Sequence, residues 1–335
     1  MIARTIPSVQ TSSWQQLLGD AIRDPNQLLQ ALDLEAEASS LLEQAHQQFS
    51  VVVPEPYLAR IKRGDPKDPL LLQVLPSAQE LHQTPGFNSD PLGEAASNPL
   101  PGLIHKYHNR VLLTLAGHCA INCRYCFRRH FPYQDNTPDR AHWLKVLDYI
   151  HQRPEIDEVI FSGGEPLAVN DQRLAWLCAE LDKIPHLKRL RIHTRMPVVI
   201  PQRIDDRLLH WMGEGRLHKI MVIHSNHPNE IDEAVALAMH KLSRHGVRLL
   251  NQSVLLHGIN DNEATLEALS NRLFDAGVQP YYLHLLDRVE GAAHFEVAEK
   301  RAQQIIANLR GRCSGYLVPS LVRESAGKNA KTIMG

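Results

Sequence analysis

Residues 111–131 read VLLTLAGHCAINCRYCFRRHF. The first seven form an apolar run of strand length closed by a glycine. Three cysteines follow at 119, 123 and 126, in the spacing Cys-x3-Cys-x2-Cys, with no fourth cysteine nearby. Three soft thiolate donors on one loop suit an iron–sulfur cluster in which one iron has no protein ligand. An open metal position is what a catalytic site needs. A zinc ion completed by His118 or His130, or three unconnected thiols, is the plainer alternative. Cys178 and Cys313 fall in helical or tail context and read as small packed residues.

Similar apolar runs recur downstream at EVIFSGG (158–164), LRIHTR (190–195), IMVIHS (220–225), RLLNQSVLL (248–256) and YYLHLL (281–286). Each is followed by a stretch of helical periodicity, at 139–152, 171–183, 203–213, 229–245, 263–276 and 294–310. After the first interval the repeat is roughly thirty residues, the length of a βα unit. Six parallel units predict an α/β fold, a partial (β/α)6 barrel over 101–315, with a doubly wound sheet as the alternative. Both folds collect chemistry at the carboxyl ends of the strands. The cysteines, the Gly163-Gly164-Glu165 turn, and Thr194 with Arg195 all fall at such ends.

Residues 13–48 read as one or two polar helices, and 54–101 are rich in Pro, Gly, Asp and Asn, so 1–100 is expected to be an N-terminal helical and irregular extension wrapped on the barrel. Residues 316–335, YLVPSLVRESAGKNAKTIMG, form a short C-terminal tail that could fold back across the barrel mouth. Lys plus Arg number 36 against 37 Asp plus Glu, which excludes a whole-chain footprint for nucleic acid. A local basic cluster, Arg124, Arg128 and Arg129, could still act on a small anion. The start, MIARTIPSVQTSSWQQLL, lacks a long apolar core, and no segment approaches the ~20 apolar residues of a membrane span. Five cysteines, three of them clustered, do not form a secreted disulfide framework. A soluble, cytoplasmic protein is expected.

The cysteine loop with an aromatic residue, Tyr125, before its last cysteine, followed by SGGEP after the next strand, resembles the radical S-adenosylmethionine (SAM) superfamily. The segments RVLLTLAGHCAINCRYCFRRHF, FSGGEPL, LRIHTRMPVVIPQRI, HSNHPNEI and NQSVLLHGIND are similar, in order, to the lysine 2,3-aminomutase family. That resemblance covers about residues 100–335, and it is strongest to the short bacterial members that make (R)-β-lysine for attachment to elongation factor P.

The resemblance implies a [4Fe–4S] cluster on Cys119, Cys123 and Cys126, with SAM filling the open iron position. It implies SAM contacts from Tyr125, Gly163, Gly164, Glu165 and Arg195, with His224 and Gln252 at strand ends facing the same mouth. The paired glycines would permit close backbone approach, and Glu165 would offer a carboxylate to the SAM ammonium. Family members also use pyridoxal 5′-phosphate (PLP). Their PLP lysine lies seven residues after an acid, an interval reproduced by Glu324 and Lys331, although this chain reads ESAGKNAK where the family is glycine-rich; Lys328 is the rival. KYHNR matches a PLP-contacting segment, implying Lys106 and Arg110 for the phosphate and Tyr107 for the ring. Arg128 matches the position that grips the substrate carboxylate, and Asp287 and Glu324 match acids that face the ε-ammonium of lysine. Arg129 is expected at the surface or on a phosphate. The prolines of MPVVIP read as structural.

The activity implied is transfer of nitrogen from Cα to Cβ of L-lysine, supplied with electrons by a cellular donor. Two other readings remain at this stage: a radical SAM enzyme without PLP that modifies a peptide or RNA, and a non-catalytic iron–sulfur electron carrier.

Overall fold

The computed structural model describes residues 12–35, 40–133 and 139–335. Residues 1–11, part of the start read above, 36–39, part of the polar helical stretch, and 134–138 lie outside the described residues. The N-terminal part forms α1 (Trp14–Gly19), α2 (Pro25–Ala31), α3 (Ser40–Gln48) and α4 (Glu55–Leu58). The stretch anticipated as one or two helices is divided because Asp24 caps a new helix that starts at Pro25, and Asp33 turns the chain with φ 57°.

Nine strands follow in one sheet whose spatial order is the chain order: β1 (Leu103–Tyr107), β2 (Arg110–Ala116), β3 (Glu158–Gly163), β4 (Arg189–Thr194), β5 (His218–His224), β6 (Arg248–Val254), β7 (Gln279–His284), β8 (Ser320–Arg323) and β9 (Thr332–Ile333). β2 through β8 are parallel, and β1 and β9 add antiparallel at the two edges. No pairing joins β1 to β9 among the described residues, so the barrel is partial. The six anticipated strands are β2 to β7. The tail contributes β8, a seventh parallel strand.

Between the strands run α5 (Arg140–His151), α6 (Asp171–Asp182), the short α7 (Met196–Val199), α8 (Asp206–Gly213), α9 (Glu233–Arg244), α10 (Glu263–Asp275) and α11 (Glu299–Arg310). Asp139, Asn170, Asp205, Asp232 and Asn262 each cap one of these by accepting the amide three residues on, all at 2.9 Å. These caps explain why two helices begin later than the apolar periodicity suggests, after Asp205 and Asp232. The segment MPVV is a buried turn of helix directly after β4, consistent with a structural role for its prolines.

A single apolar core joins Trp14, Leu28, Tyr57 and Leu71 of the N-terminal part to Leu113, Phe161, Ile192 and Met221 of the strands. The extension is therefore not peripheral. Its Glu80 is fully buried and binds two arginines of the cysteine loop: Arg124 Nε to Oε1 at 2.8 Å, Arg124 Nη2 to Oε2 at 2.5 Å, and Arg129 Nη2 to Oε2 at 2.8 Å. Arg129 also donates to the carbonyls of Arg124 and Gly291. Arg129 is thus not a surface residue: its Nη1 and Nη2 donate inside the protein, while its buried Nε has no hydrogen-bond partner among the described residues. The basic cluster anticipated as an anion site is countered by the protein's own acids, Glu80 here and Glu94 on Arg128.

Replacing Glu80 by Ala should leave two buried guanidiniums without their partner, at a cost of about 3–5 kcal/mol. Urea unfolding is the check; a loss under 1 kcal/mol would show that the clamp does not hold the loop.

Candidate active site

The site forms at the carboxyl end of the strands. β2 delivers the cysteine loop, and β3 delivers the glycine turn against it. Gly164 N donates to Ala116 O and Glu165 N to His118 O, both at 2.8 Å. Gly163 has φ +114°, and a Cβ there would lie 2.9 Å from Ala116 O. One at Gly164 would overlap the carbonyl group of His118. The close approach these glycines permit is thus to the cysteine loop itself.

Cys119, Cys123 and Cys126 are half-buried free thiols on that loop. Burial, followed by the neighbouring thiols, pushes Cys119 well up and Cys126 up to about 11. Arg195 Nη1 donates to Cys123 Sγ at 2.6 Å. Among the described residues no three His, Cys, Asp or Glu side chains converge as a single metal ion requires. His118 is exposed and His130 contacts the Glu290 carbonyl, so neither completes a zinc site. Three neighbouring thiols with a guanidinium at one sulfur fit a thiolate-held cluster, which would displace the protons that burial retains.

Arg195 is the hub of the next layer. Its Nη2 donates to Glu230 Oε2 at 2.8 Å, Gln73 Oε1 at 2.9 Å and Tyr57 OH at 3.4 Å. Burial opposes its charge, but Cys123, Tyr125 and Glu230 hold its pKa well above the ordinary value. Tyr125 accepts from Asn226 Nδ2 at 2.7 Å and donates to Gln73 at 3.4 Å. Glu165 does not present the free carboxylate anticipated for SAM. Its oxygens accept from Thr194 Oγ1 (2.5 Å), Leu167 N (3.0 Å), Arg195 N (2.9 Å) and Met196 N (3.1 Å), which fills its acceptor positions. It ties the end of β3 to the end of β4. His224 and Gln252 meet at 2.8 Å, and burial drives the His224 pKa down to about 3, so the ring is neutral.

A second group gathers where β1 and the chain's end face each other. Glu324 Oε1 accepts from Lys106 Nζ at 2.9 Å and from Tyr107 OH at 3.0 Å, while Lys331 Nζ donates to Oε2. Burial opposes the charge of Glu324, but Lys331 and Lys106 bring its pKa to about 2. Arg110 lies 4.0 Å over the Tyr107 ring. Lys328 is exposed. Asp287 is half-buried with no side-chain hydrogen bond among the described residues, and burial, Glu324 and Glu94 raise its pKa to about 7 against the pull of Lys331 and Lys106. His193 and His284 carry buried Nε2 atoms without partners among the described residues, and burial and then nearby cations keep both rings neutral, His284 at about 3 with Lys331 the first of those cations. Orphaned polar atoms beside a lysine, an arginine and a tyrosine fit a polar, anionic cofactor such as PLP.

Sequence reasoning did not single out Tyr57, Gln73, Glu80, Glu94, Ser162, Asn226 or Glu230. Asn226 and Glu230 lie in HSNHPNEI and Ser162 in FSGGEPL, whose similarity to the family was the available signal. The others come from stretches without periodicity.

Residues 113–269 match the Radical SAM superfamily, which agrees with the open parallel barrel and with the three thiols at its mouth. The chain is a radical SAM protein. It is 52% identical over 321 residues to an L-lysine 2,3-aminomutase of Haemophilus influenzae, covering 96% of this chain and 95% of that relative. It is 51% identical over 329 residues to one of Escherichia coli K12, covering 98% and 96%. A longer relative of the same name from Clostridium subterminale is 36% identical over 323 residues, covering 96% of this chain and 77% of its own length. The chain belongs to the lysine 2,3-aminomutase family.

Gly164→Ala should force the cysteine loop away from β3. Iron content after anaerobic reconstitution is expected to fall toward that of Cys126→Ala, which keeps only two of the three thiols; full iron in Gly164→Ala would show the loop can yield.

Proposed function

We propose that this chain is an L-lysine 2,3-aminomutase that converts L-α-lysine to (R)-β-lysine with PLP, SAM and a [4Fe–4S] cluster. We infer further that it works in the cytoplasm with a cellular electron donor, and that its product is destined for elongation factor P. The observation that carries the reading is the gathering of Lys331, Lys106 and Tyr107 on Glu324, with the unpaired Asp287 in the same electrostatic neighbourhood. An electron carrier or a PLP-free enzyme gives no account of a half-buried lysine among these groups. The match in length to the short bacterial relatives supports the elongation factor P link. No helix among the described residues is long and apolar enough to cross a membrane.

PLP, when bound, supplies an electron sink, and the cluster with SAM supplies the one-electron chemistry. The chain's own residues do the rest. Lys331 would hold PLP, with Lys106 and Arg110 available to its phosphate and Tyr107 to its ring. Once Lys331 leaves Glu324, the freed Oε2 and Asp287 can receive the substrate's ε-ammonium. Arg128 takes the α-carboxylate. Two acids at one end and a guanidinium at the other select a long diamino acid over shorter or neutral ones.

Lys331→Ala should abolish PLP absorbance and β-lysine formation, while Lys328→Ala retains both. The opposite ranking would move the PLP lysine to 328. Anaerobic turnover with lysine and chiral product analysis tests the activity itself, since an enzyme of another class gives no β-lysine.

The pH dependence follows from Asp287. An ammonium pairs with its charged form, so with a pKa of about 7 lysine binding should strengthen as pH rises through about 7 and weaken below it. Asp287→Asn should remove that dependence and lower kcat/KM by on the order of a hundredfold or more, with normal iron and PLP content. An unchanged KM–pH profile in the variant would exclude Asp287 as the ammonium partner.

A further inference from the structure

Arg128 is held on three donors by protein groups. Nε donates to Glu94 Oε2 and Nη2 to Glu94 Oε1, both at 2.7 Å, and Nη1 donates to Ser162 Oγ at 3.1 Å. The three residues come from different elements: Glu94 from the irregular segment before β1, Arg128 from the cysteine loop, Ser162 from β3. Side-chain exposure is 8% for Arg128 and 9% for Glu94, so neither charge would be tolerated there alone. Glu94 is itself positioned, because the Asp90 carboxylate accepts the amides of Glu94 at 3.0 Å and Ala95 at 3.2 Å.

A guanidinium has five N–H groups in one plane, arranged as forks that match a carboxylate. Glu94 fills the side fork of Nε and Nη2, and Ser162 takes one hydrogen of Nη1. One N–H then remains on each of Nη1 and Nη2. With Ser162 on the outer hydrogen of Nη1, these two form the end fork, which a second carboxylate would fill without displacing Glu94.

We propose that Glu94 is a positioning residue for substrate recognition: with Ser162 it fixes the plane of Arg128 so that the Nη1/Nη2 edge receives the α-carboxylate of the amino acid substrate. It also supplies the counter-charge that keeps Arg128 in place before substrate arrives. The proposal rests on the reading of Arg128 as the carboxylate site.

The test compares L-lysine with L-lysinamide, which lacks the carboxylate, in reconstituted Glu94→Gln and Arg128→Lys enzymes, with iron content and thermal unfolding as folding controls. Glu94→Gln should raise KM for lysine about tenfold, change kcat less than about threefold, and leave KM for lysinamide unchanged. Glu94→Asp should recover part of the loss. An equal shift for both substrates would reduce Glu94 to a structural role. A lower lysine KM would show that Glu94 competes with substrate, and either result overturns the proposal. If Arg128→Lys leaves the preference for lysine over lysinamide intact, the carboxylate reading of Arg128 is wrong. If that preference collapses in Arg128→Lys but not in Glu94→Gln, only the inference about Glu94 fails. Should Glu94→Gln not fold, Ser162→Ala replaces it, with a selective rise of about threefold expected for lysine and no selectivity overturning the idea.

Discussion

The cysteine loop carries Arg124 and Arg129 into the interior, and both meet the one buried carboxylate of Glu80. Two cations and one anion away from water form a costly arrangement unless hydrogen bonds complete it. Here backbone carbonyls of Phe49, Ala45 and Gly291 supply the remaining acceptors. Of the two guanidiniums only Arg129 Nε is left without a partner among the described residues, and the other bonds hold the loop that carries the three thiols. The same logic continues at Arg195, whose donors reach Cys123, Glu230, Gln73 and Tyr57. Two of those four partners, Gln73 and Tyr57, belong to the N-terminal part, which therefore builds the site as much as the barrel does.

Two carboxylates of the pocket are driven in opposite directions. Burial acts on both, but Glu324 gains direct bonds from Lys331 and Lys106 and is held at about 2. Asp287 has no bonded cation, stands near Glu324 and Glu94, and is raised to about 7. One acid is permanently charged and organises the lysines. The other would take up charge beside an added cation, so the two acids need not stand side by side as bare anions.

The strands and helices were legible because apolar runs and helical periodicity alternate, whereas the caps Asp205 and Asp232, which set two helix starts, were not read. The cysteines were legible from spacing. Charge without partner was not. Arg129 reads in sequence as an exposed cation, and only the position of Glu80, 49 residues earlier, shows that it is buried. Glu165 likewise reads as a free acid after two glycines, whereas its acceptors are filled from β4, 29 to 31 residues later, and from Leu167. Lys331 lies in a tail that composition would leave in solvent, and its link to Glu324 was visible only through family resemblance. Glu94 had no local signal at all, being one acid in a segment without periodicity.

The barrel is open between β1 and β9, yet its two edges are not independent. Lys106 lies on β1, Glu324 directly follows β8, and Lys331 directly precedes β9, so the ion cluster spans the gap that backbone pairing leaves. Side chains close what the sheet does not. A closed ring of strands would fill this position with backbone hydrogen bonds, which cannot be exchanged for those of a ligand. Of the three groups on Glu324, Lys106 and Tyr107 of the β1 edge share Oε1 and Lys331 takes Oε2, so the edges would stay joined without the Lys331 bond. β9 pairs over only two residues, and just beyond it Met334 N donates to Leu321 O at 2.9 Å while Met334 O accepts from Gln303 Nε2 at 2.8 Å, so backbone bonds hold the segment on the far side of Lys331 and the Glu324 contact holds it at the lysine. The incompleteness of the barrel is thus what allows a residue near the end of the chain to reach its interior.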